Sequence, residues 1–262
     1  MQYITDTHAH YDDHAFDEDR DSLLASLKDG GIGWVINVGA SLRGCRESLA
    51  LANQYPFIYA ALGVHPSETA ELTEEDMQHI LQDSKDPKVV AIGEIGLDYH
   101  YPDDPSPEHQ KKWFKRQMAL AGEAGLPVVI HSREAAKDTL DILTEYKNES
   151  CGGVIHCYSY SKESAREFLE LGYHIGIGGV LTFKNGKKLK EAAAYIPMDR
   201  ILLETDCPYL APSPYRGERN CSLYIPHVVQ VLVQIKGITE EEVIRITSEN
   251  AAALFGLPPY EG

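Results

Sequence analysis

The chain has 262 residues, of which 43% are hydrophobic and 24% are charged, a composition typical of a globular protein and not of a disordered or fibrous one. Its 40 acidic residues outnumber 24 basic ones, and the formal net charge of −16 argues against a protein that coats nucleic acid through a basic surface. Five cysteines without a CxxC pair argue against a zinc knuckle or a disulfide framework, and no apolar run reaches the ~20 residues of a membrane span.

Apolar, β-branched runs typical of strands recur along the chain about every 25 to 30 residues. In chain order they are residues 3–5, 34–38, 58–62, 89–92, 128–130, 154–155, 174–177 and 201–203. Helix-period stretches separate them, at 18–29, 43–54, 73–83, 107–124, 134–147, 162–171, 185–194 and 222–236, and one or two further helices are expected within 239–255. Thr73 and Asp76 are predicted to form a capping box, and Gly30 and Gly172 to follow helices.

This alternation predicts a parallel sheet, and we interpret residues 1–262 as one α/β domain, a single-domain TIM (β/α)8 barrel. An open dinucleotide-binding sheet is the structural alternative, but it calls for GxGxxG after the first strand, where Thr7-His8-Ala9-His10 stands instead. A barrel also predicts functional groups at the carboxyl ends of its strands.

Histidines and acids do follow these strands. His8 and His10 lie two residues apart, so in an extended strand they share one face and can bind the same ion. Asp206 closes the last predicted strand, which lies beside the first in a closed barrel, and its carboxylate is expected to reach that ion. Taken alone, either segment is better explained as a polar loop or turn.

Glu94 stands between two glycines in an otherwise apolar strand, so its carboxylate needs a metal ion, an arginine or a lysine as a partner. His131 and His156 end neighbouring strands and are predicted to lie at the same height. Together the six groups predict two divalent cations bridged by Glu94. Imidazole and carboxylate suit Mg2+, Mn2+, Zn2+, Ni2+ or iron, and the absence of thiolates favours a catalytic site over a structural zinc site.

The chain resembles the TatD family of metal-dependent deoxyribonucleases, within the amidohydrolase-like barrels, over essentially its whole length. The matching segments are residues 5–10, 63–66, 93–99, 129–133, 156–159 and 203–209. The resemblance implies that one ion is held by His8, His10, Glu94 and Asp206 and the other by Glu94, His131 and His156. It also implies hydrolysis of DNA, often from the 3′ end of single strands.

Five residues are expected to take part in catalysis. Glu94 and Asp206 hold and activate a water, with Asp206 accepting its proton, as two-metal hydrolysis requires. His65, Asp98 and Arg133 are secondary candidates that bind or protonate the phosphate ester, and for His65 and Asp98 the alternative is a hydrogen bond that orients a metal ligand.

Two further sets of loop residues follow the predicted strands. A basic rim for the anionic substrate is expected from Arg133, Lys162, Lys184, Lys187, Lys188, Arg216 and Arg219, although Lys184 to Lys190 are equally explained as one solvated helix face. Stacking on bases is expected from Tyr99, Tyr101, Tyr158, Tyr160 and Phe183.

Two other functions remain open from the sequence. One is a hydrolase of small amides, lactones or esters, although related barrels often bridge their metals with a carboxylated lysine where this chain has Glu94. The other is a non-catalytic protein in which the ions only stabilise the barrel. Because residues 1–20 carry no basic segment followed by an apolar one, we expect a cytoplasmic protein, and we favour a monomer.

Overall fold

A computed structural model describes residues 3–259 and contains a single sheet of eight parallel strands, each paired with its neighbours in chain order. The strands are β1 (Ile4–Ala9), β2 (Ile32–Val38), β3 (Ile58–Leu62), β4 (Val89–Asp98), β5 (Val128–Arg133), β6 (Gly153–Ile155), β7 (His174–Ile177) and β8 (Ile201–Leu203). All eight predicted strands are therefore present, and the predicted TIM-type barrel is confirmed.

Nine α-helices are found within the described residues. They are α1 (Arg20–Ser26), α2 (Leu42–Gln54), α3 (Glu74–Asp83), α4 (Pro107–Ala124), α5 (Ala136–Glu145), α6 (Lys162–Glu170), α7 (Lys187–Tyr195), α8 (Ile225–Lys236) and α9 (Glu240–Phe255). The capping box of Thr73 and Asp76 is confirmed. The stretch expected to form one or two helices forms α9 alone, and Gly30 lies in a turn beyond α1.

Buried side chains alternate along the strands because successive residues point to opposite faces. One set packs with the helices around the sheet, and Val35, Ile130 and Ile155 belong to it with Phe114 and Phe168. The other set faces the barrel axis, where Ile36, Val129, Val154 and Leu202 meet Phe255 of α9. The sheet is thus apolar on both faces, and its polar groups concentrate at the strand ends.

Hydrogen bonds between β1 and the segment after β8 close the barrel. The N–H of His10 donates to the carbonyl of Cys207 at 2.8 Å, and the N–H of Asp206 donates to the carbonyl of His8 at 2.9 Å. Beneath them the fully buried Asp6 carboxylate accepts from Thr205 N at 3.0 Å, Thr205 Oγ1 at 2.7 Å and Ser222 Oγ at 2.6 Å. Closure therefore brings the two ends of the sheet, which are far apart in sequence, to one point.

Both β1 and β4 extend further toward the carboxyl side than their apolar runs suggested. β4 continues through Glu94 to Asp98 with every residue buried. Gly96 has φ +143°, and a Cβ there would lie 1.9 Å from the His131 carbonyl oxygen, so only glycine lets β4 approach β5 this closely. None of the helices within residues 3–259 is both long and apolar enough to cross a membrane.

Candidate metal centre

The six predicted ligands lie together at the carboxyl end of the barrel. His8, Glu94 and His131 belong to β1, β4 and β5, while His10, His156 and Asp206 follow β1, β6 and β8. Above them a cavity of about 1420 Å³ opens, with His10, Glu94, His131, His156 and Asp206 in its lining. His8 is fully buried beneath it.

The first group joins His8, His10 and Asp206. The Nε2 atoms of His8 and His10 are 3.1 Å apart, and Asp206 Oδ1 lies 3.4 Å from the His10 nitrogen and 3.7 Å from that of His8. His10 Nδ1 is 2.8 Å from the Val38 carbonyl, which only accepts, so Nδ1 carries the proton. A neutral His10 therefore directs the lone pair of Nε2 toward Asp206, in the tautomer that a metal ligand needs.

Glu94 connects this group to the second one. Its Oε1 lies 2.7 Å from His156 Nε2 and 2.8 Å from His131 Nδ1, and its Oε2 lies 3.6 Å from His8 Nε2 and 3.8 Å from His10 Nε2. The side chain is buried, and within residues 3–259 no lysine or arginine is paired with it. One carboxylate thus presents one oxygen to each pair of imidazoles.

Asp98 orients His131. Asp98 Oδ2 is 3.1 Å from His131 Nε2, and a carboxylate accepts, so this nitrogen donates. The lone pair of His131 Nδ1 then points at Glu94 Oε1 and His156 Nε2, the latter 3.1 Å away. A lone pair facing a carboxylate oxygen is repulsive unless a proton or a metal cation lies between them. The residues present therefore suit a bound cation.

The pKa values of the histidines also favour a bound cation. Burial alone would lower the pKa of His10, but its hydrogen bond to Asp206 and the charges of Asp206 and Glu94 outweigh burial and raise it to about 9. Burial also tends to lower the pKa of His131, but the hydrogen bonds and charges of Asp98 and Glu94 outweigh burial and raise this pKa to about 9 as well. Without metal the site therefore collects protons at the atoms that would bind the ions.

Three groups of described residues have ligand atoms within 4.8 Å of one another: His8 with Glu94 and His156, His8 with His10 and Asp206, and His65 with Asp98 and His131. The first two overlap the predicted ligand sets. In the third, His65 Nδ1 accepts from Ser67 N at 3.2 Å, which leaves the proton of a neutral His65 on Nε2. Burial and the charge of His131 lower the pKa of His65 to about 3, so His65 is a neutral donor and Nε2 has no lone pair for a metal.

The predicted basic rim is only partly in place. Arg133 lines the cavity, and its guanidinium lies 5.1 Å from the centre of the exposed Tyr101 ring. The other predicted cations are exposed, but none lines the cavity, and Arg219 is held by Asp19 at 2.6 Å. The basic residues therefore do not form a continuous ring around the metal centre.

Four of the five residues predicted to stack on bases do not present their rings at the cavity. Tyr158 is 2% exposed and packs in the core around the sheet, and Phe183 is 8% exposed, with the Arg216 guanidinium over its ring. Tyr99 and Tyr160 are partly buried, and their hydroxyl groups bond to Asp138 and Ser132. Of the five, only Tyr101 presents an exposed ring at the cavity.

Other residues at the cavity escaped the sequence analysis. Tyr209 and Leu210 are 55% and 39% exposed and line the cavity close to Asp206. Glu204 is buried, its pKa is raised to about 8 by burial, and its Oε1 accepts the Cys157 N–H beside His156. Glu204 could have been predicted from the sequence, because it is an acid directly after an apolar strand. The exposure of Tyr209 could not, because it depends on the path of its loop.

An eight-stranded parallel barrel with clustered imidazoles and carboxylates at its mouth is the architecture of metal-dependent hydrolases. The family described as "TatD related DNase" matches residues 5–256, and the chain belongs to this family.

Among its relatives, the "Uncharacterized metal-dependent hydrolase YabD" of Bacillus subtilis is 43% identical, covering 96% of this chain and 98% of that one. A protein of Erwinia billingiae named "3'-5' ssDNA/RNA exonuclease TatD" is 36% identical over 93% of this chain and 95% of its own length. The solved structure of the TatD homologue YjjV from Escherichia coli superposes with a TM-score of 0.91 at 32% identity, covering 97% and 98% of the two chains. An organophosphorus hydrolase from Deinococcus radiodurans, at 18% identity and a TM-score of 0.66, covers 97% of this chain and 93% of its own, and shows the shared fold alone.

Proposed function

We propose that the protein is a nuclease that uses two divalent cations to cleave phosphodiester bonds in single-stranded nucleic acid, DNA above all, from the 3′ end. The observation that carries the proposal is Glu94, a buried carboxylate without a lysine or arginine partner in residues 3–259, set between two pairs of imidazoles. The substrate and the polarity are supported by the relatives named as 3′–5′ ssDNA/RNA exonucleases.

His8, His10 and Asp206 with one oxygen of Glu94 would hold one ion, and His131 and His156 with the other oxygen would hold the second. When bound, divalent ions would lower the pKa of a coordinated water toward neutrality and neutralise charge on the non-bridging phosphate oxygens. Mg2+, Mn2+, Zn2+ and Ni2+ all accept these ligands.

The chain's own residues supply the remaining steps. Asp206 is the more exposed of the two carboxylates, with 18% of its side chain accessible, and accepts the proton of the attacking water. His65, a neutral Nε2–H donor at the cavity wall, donates a hydrogen bond to a phosphate oxygen. Arg133 grips another phosphate oxygen, for which its planar group is suited. Asp98 acts through His131.

The volume and lining of the cavity argue against the alternative function, hydrolysis of small amides, lactones or esters. Pockets for drug-sized ligands commonly measure about 300–1,000 Å³, whereas this cavity measures about 1420 Å³. Within the described residues no lysine lines it, so a carboxylated-lysine bridge has no candidate and Glu94 takes that position. The distant organophosphorus hydrolase shares the fold and carries no argument about the substrate.

Digestion of labelled oligonucleotides tests the proposal. Single-stranded, double-stranded and 3′-blocked DNA, and RNA of the same sequence, are incubated with the protein in Mg2+, Mn2+, Zn2+ or Ni2+, and metal content is measured by elemental analysis. We expect stepwise shortening of unblocked single strands that EDTA abolishes. Bound metal without cleavage of any oligonucleotide, with or without hydrolysis of a small ester, would refute the nuclease.

A further inference from the structure

The mouth of the barrel is divided by charge. We number the βα loops by the strand that they follow. Loops 1 (residues 10–19), 3 (residues 63–73) and 4 (residues 99–106) contain no lysine or arginine, and their acids are Asp12, Asp13, Asp17, Glu18, Asp19, Glu68, Glu71, Asp103 and Asp104. Several of these acids line the cavity. On this side the cavity lining also contains one cation, Arg43 of α2. A polyanion that left the metal centre over loops 1, 3 and 4 would therefore pass more acids than cations along its path.

Loops 7 (residues 178–186) and 8 (residues 204–224) are less acidic, because loop 8 has two arginines, Arg216 and Arg219, beside its acids Glu204, Asp206 and Glu218. Loop 7 contains Lys184 and no acid, and Arg216 of loop 8 is exposed. Neither cation has a carboxylate within 4.0 Å in the part of the chain that the structure describes, in contrast to Arg219, which Asp19 holds. These two charges are therefore available to a ligand.

The two loops form one continuous surface. Ser213 N donates to Thr182 Oγ1 at 2.8 Å, and the Arg216 guanidinium lies 4.3 Å from the centre of the Phe183 ring. A Cβ on Gly179 would lie 2.1 Å from the Leu210 carbonyl oxygen, so loop 7 also approaches loop 8 closely beside the cavity. We call Lys184, Tyr209, Leu210 and Arg216 the exit surface.

An aromatic ring stands where this surface meets the cavity. Tyr209 is 55% exposed, and its hydroxyl donates to Asp13 Oδ2 at 3.0 Å, which fixes the direction of the ring. Leu210 beside it is 39% exposed. An exposed, oriented ring next to a hydrolytic site offers a stacking face to a base of any identity.

We propose that the single strand leaves the metal centre over the exit surface, with a base stacked on Tyr209 and the following phosphates beside Lys184 and Arg216. This inference rests on the proposed function and adds the path of the substrate. In a chain with a net charge of −16, this path places the phosphates that follow Tyr209 beside two cations that have no carboxylate partner within 4.0 Å in the described residues. Single strands meet the same surface whether they are DNA or RNA, and the test includes both.

The test compares two double variants that change charge equally. Lys184→Glu with Arg216→Glu alters the exit surface, whereas Lys28→Glu with Lys147→Glu alters exposed residues that follow the ends of α1 and α5, on the opposite face of the barrel. The slope of log(kcat/KM) against log[salt] is measured on single-stranded DNA and RNA. Losing two phosphate contacts should reduce its magnitude by about 1.4, at about 0.7 per contact for single strands, and the control should keep the wild-type slope.

Tyr209→Ala tests the stacking step, with Tyr195→Ala, another exposed tyrosine, as its control. Loss of one stacked base should lower kcat/KM on oligonucleotides about 5- to 150-fold, from ~1–3 kcal/mol per base. Tyr209→Phe keeps the ring and should retain most of the activity. Each value is divided by kcat/KM for bis(p-nitrophenyl) phosphate, which has no flanking nucleotides and reports on the metal centre.

The possible outcomes distinguish a failure of the proposed exit path from a failure of the proposed nuclease function. If the wild-type protein digests oligonucleotides but the exit-surface variant keeps the wild-type slope, the path is wrong and the nuclease stands. A normal ratio for Tyr209→Ala would likewise remove the stacking step. If the wild-type protein digests no oligonucleotide in any metal, the proposed function itself fails.

Discussion

Replacing Asp98 with asparagine is the sharpest test of how the second ion is held. The two carboxylate oxygens of Asp98 accept from two donors, His131 Nε2 at 3.1 Å and the His100 N–H at 2.9 Å. An asparagine has one acceptor oxygen, so one donor faces its NH2 group. The charge-assisted bond to His131 becomes a neutral one at best, or is lost.

The magnitude follows from these bonds. Hydrogen bonds to charged groups contribute about 1.5–3 kcal/mol and neutral ones about 0.5–1.5 kcal/mol, so Asp98→Asn should cost about 1–2 kcal/mol. That corresponds to a factor of about 5–30 in an equilibrium constant. Because His131 is held by Asp98 only through Nε2, we expect the loss in the affinity of the second ion and little change in kcat once both sites are filled.

The assay is activity against metal concentration, with oligonucleotide at saturation. Asp98→Asn should shift the activating concentration upward about 5- to 30-fold and reach a plateau close to that of the wild type. Asp103→Asn changes an exposed acid of the loop that follows Asp98, removes one charge and should leave the curve in place. A plateau more than about a hundredfold lower, with an unshifted midpoint, would show that Asp98 acts on the substrate and not through His131.

Three further predictions concern the ligands and their support. Glu94→Gln should lower the bound metal by about one ion per chain or more and reduce hydrolysis at least about a thousandfold with an unchanged circular dichroism spectrum; full metal content with normal turnover would contradict the bridge. In the metal-free protein the pKa values of His10 and His131 are raised to about 9 from 6.5, so their contribution to stability is complete below pH 6.5 and is lost as the pH rises through 9. Metal must displace these protons, so affinity should increase with pH up to about 9, and calorimetry in two buffers at pH 7 should detect release of about two protons. Gly96→Ala should disrupt the β4–β5 contact at His131 and abolish metal binding, whereas Gly172→Ala, in a turn with open space, should cost only local strain.

The sequence predicted that the six candidate ligands come together because parallel strands place their carboxyl ends on one side. His8 and His10 share a strand face, and His131 and His156 follow adjacent strands, so local patterns sufficed to bring each pair together. The meeting of Asp206 with His8 required one further step, closure of the barrel, which the count of eight strands supplied. The convergence of these residues was predictable because it depends on the order of the strands and not on how individual side chains pack.

What the sequence could not supply was the burial of loop side chains. Tyr158 and Tyr209 both stand in loops after strands, yet the first packs against Phe168 in the core and the second is exposed at the cavity. The local sequence does not distinguish these two tyrosines, because their burial depends on how loops that are distant in sequence pack together. The tautomers of His10 and His65 were out of reach for the same reason, because Val38 and Ser67 fix them through contacts that only the folded chain shows.

The closing seam links stability to the metal centre. Asp6 lies on β1 two residues before His8, and it accepts hydrogen bonds from Thr205, the neighbour of Asp206. Burial, partly offset by the hydrogen bonds from Ser222 and Thr205, raises the pKa of Asp6 to about 6, so a fully buried carboxylate is kept in place by donors on the partner segment. The ligands proposed for the first ion come from both sides of this seam, so any substitution that weakens the Asp6 contacts should loosen His8 and Asp206 together. An ion held by the proposed ligands would in turn join the two sides, so metal binding and barrel closure would stabilise each other.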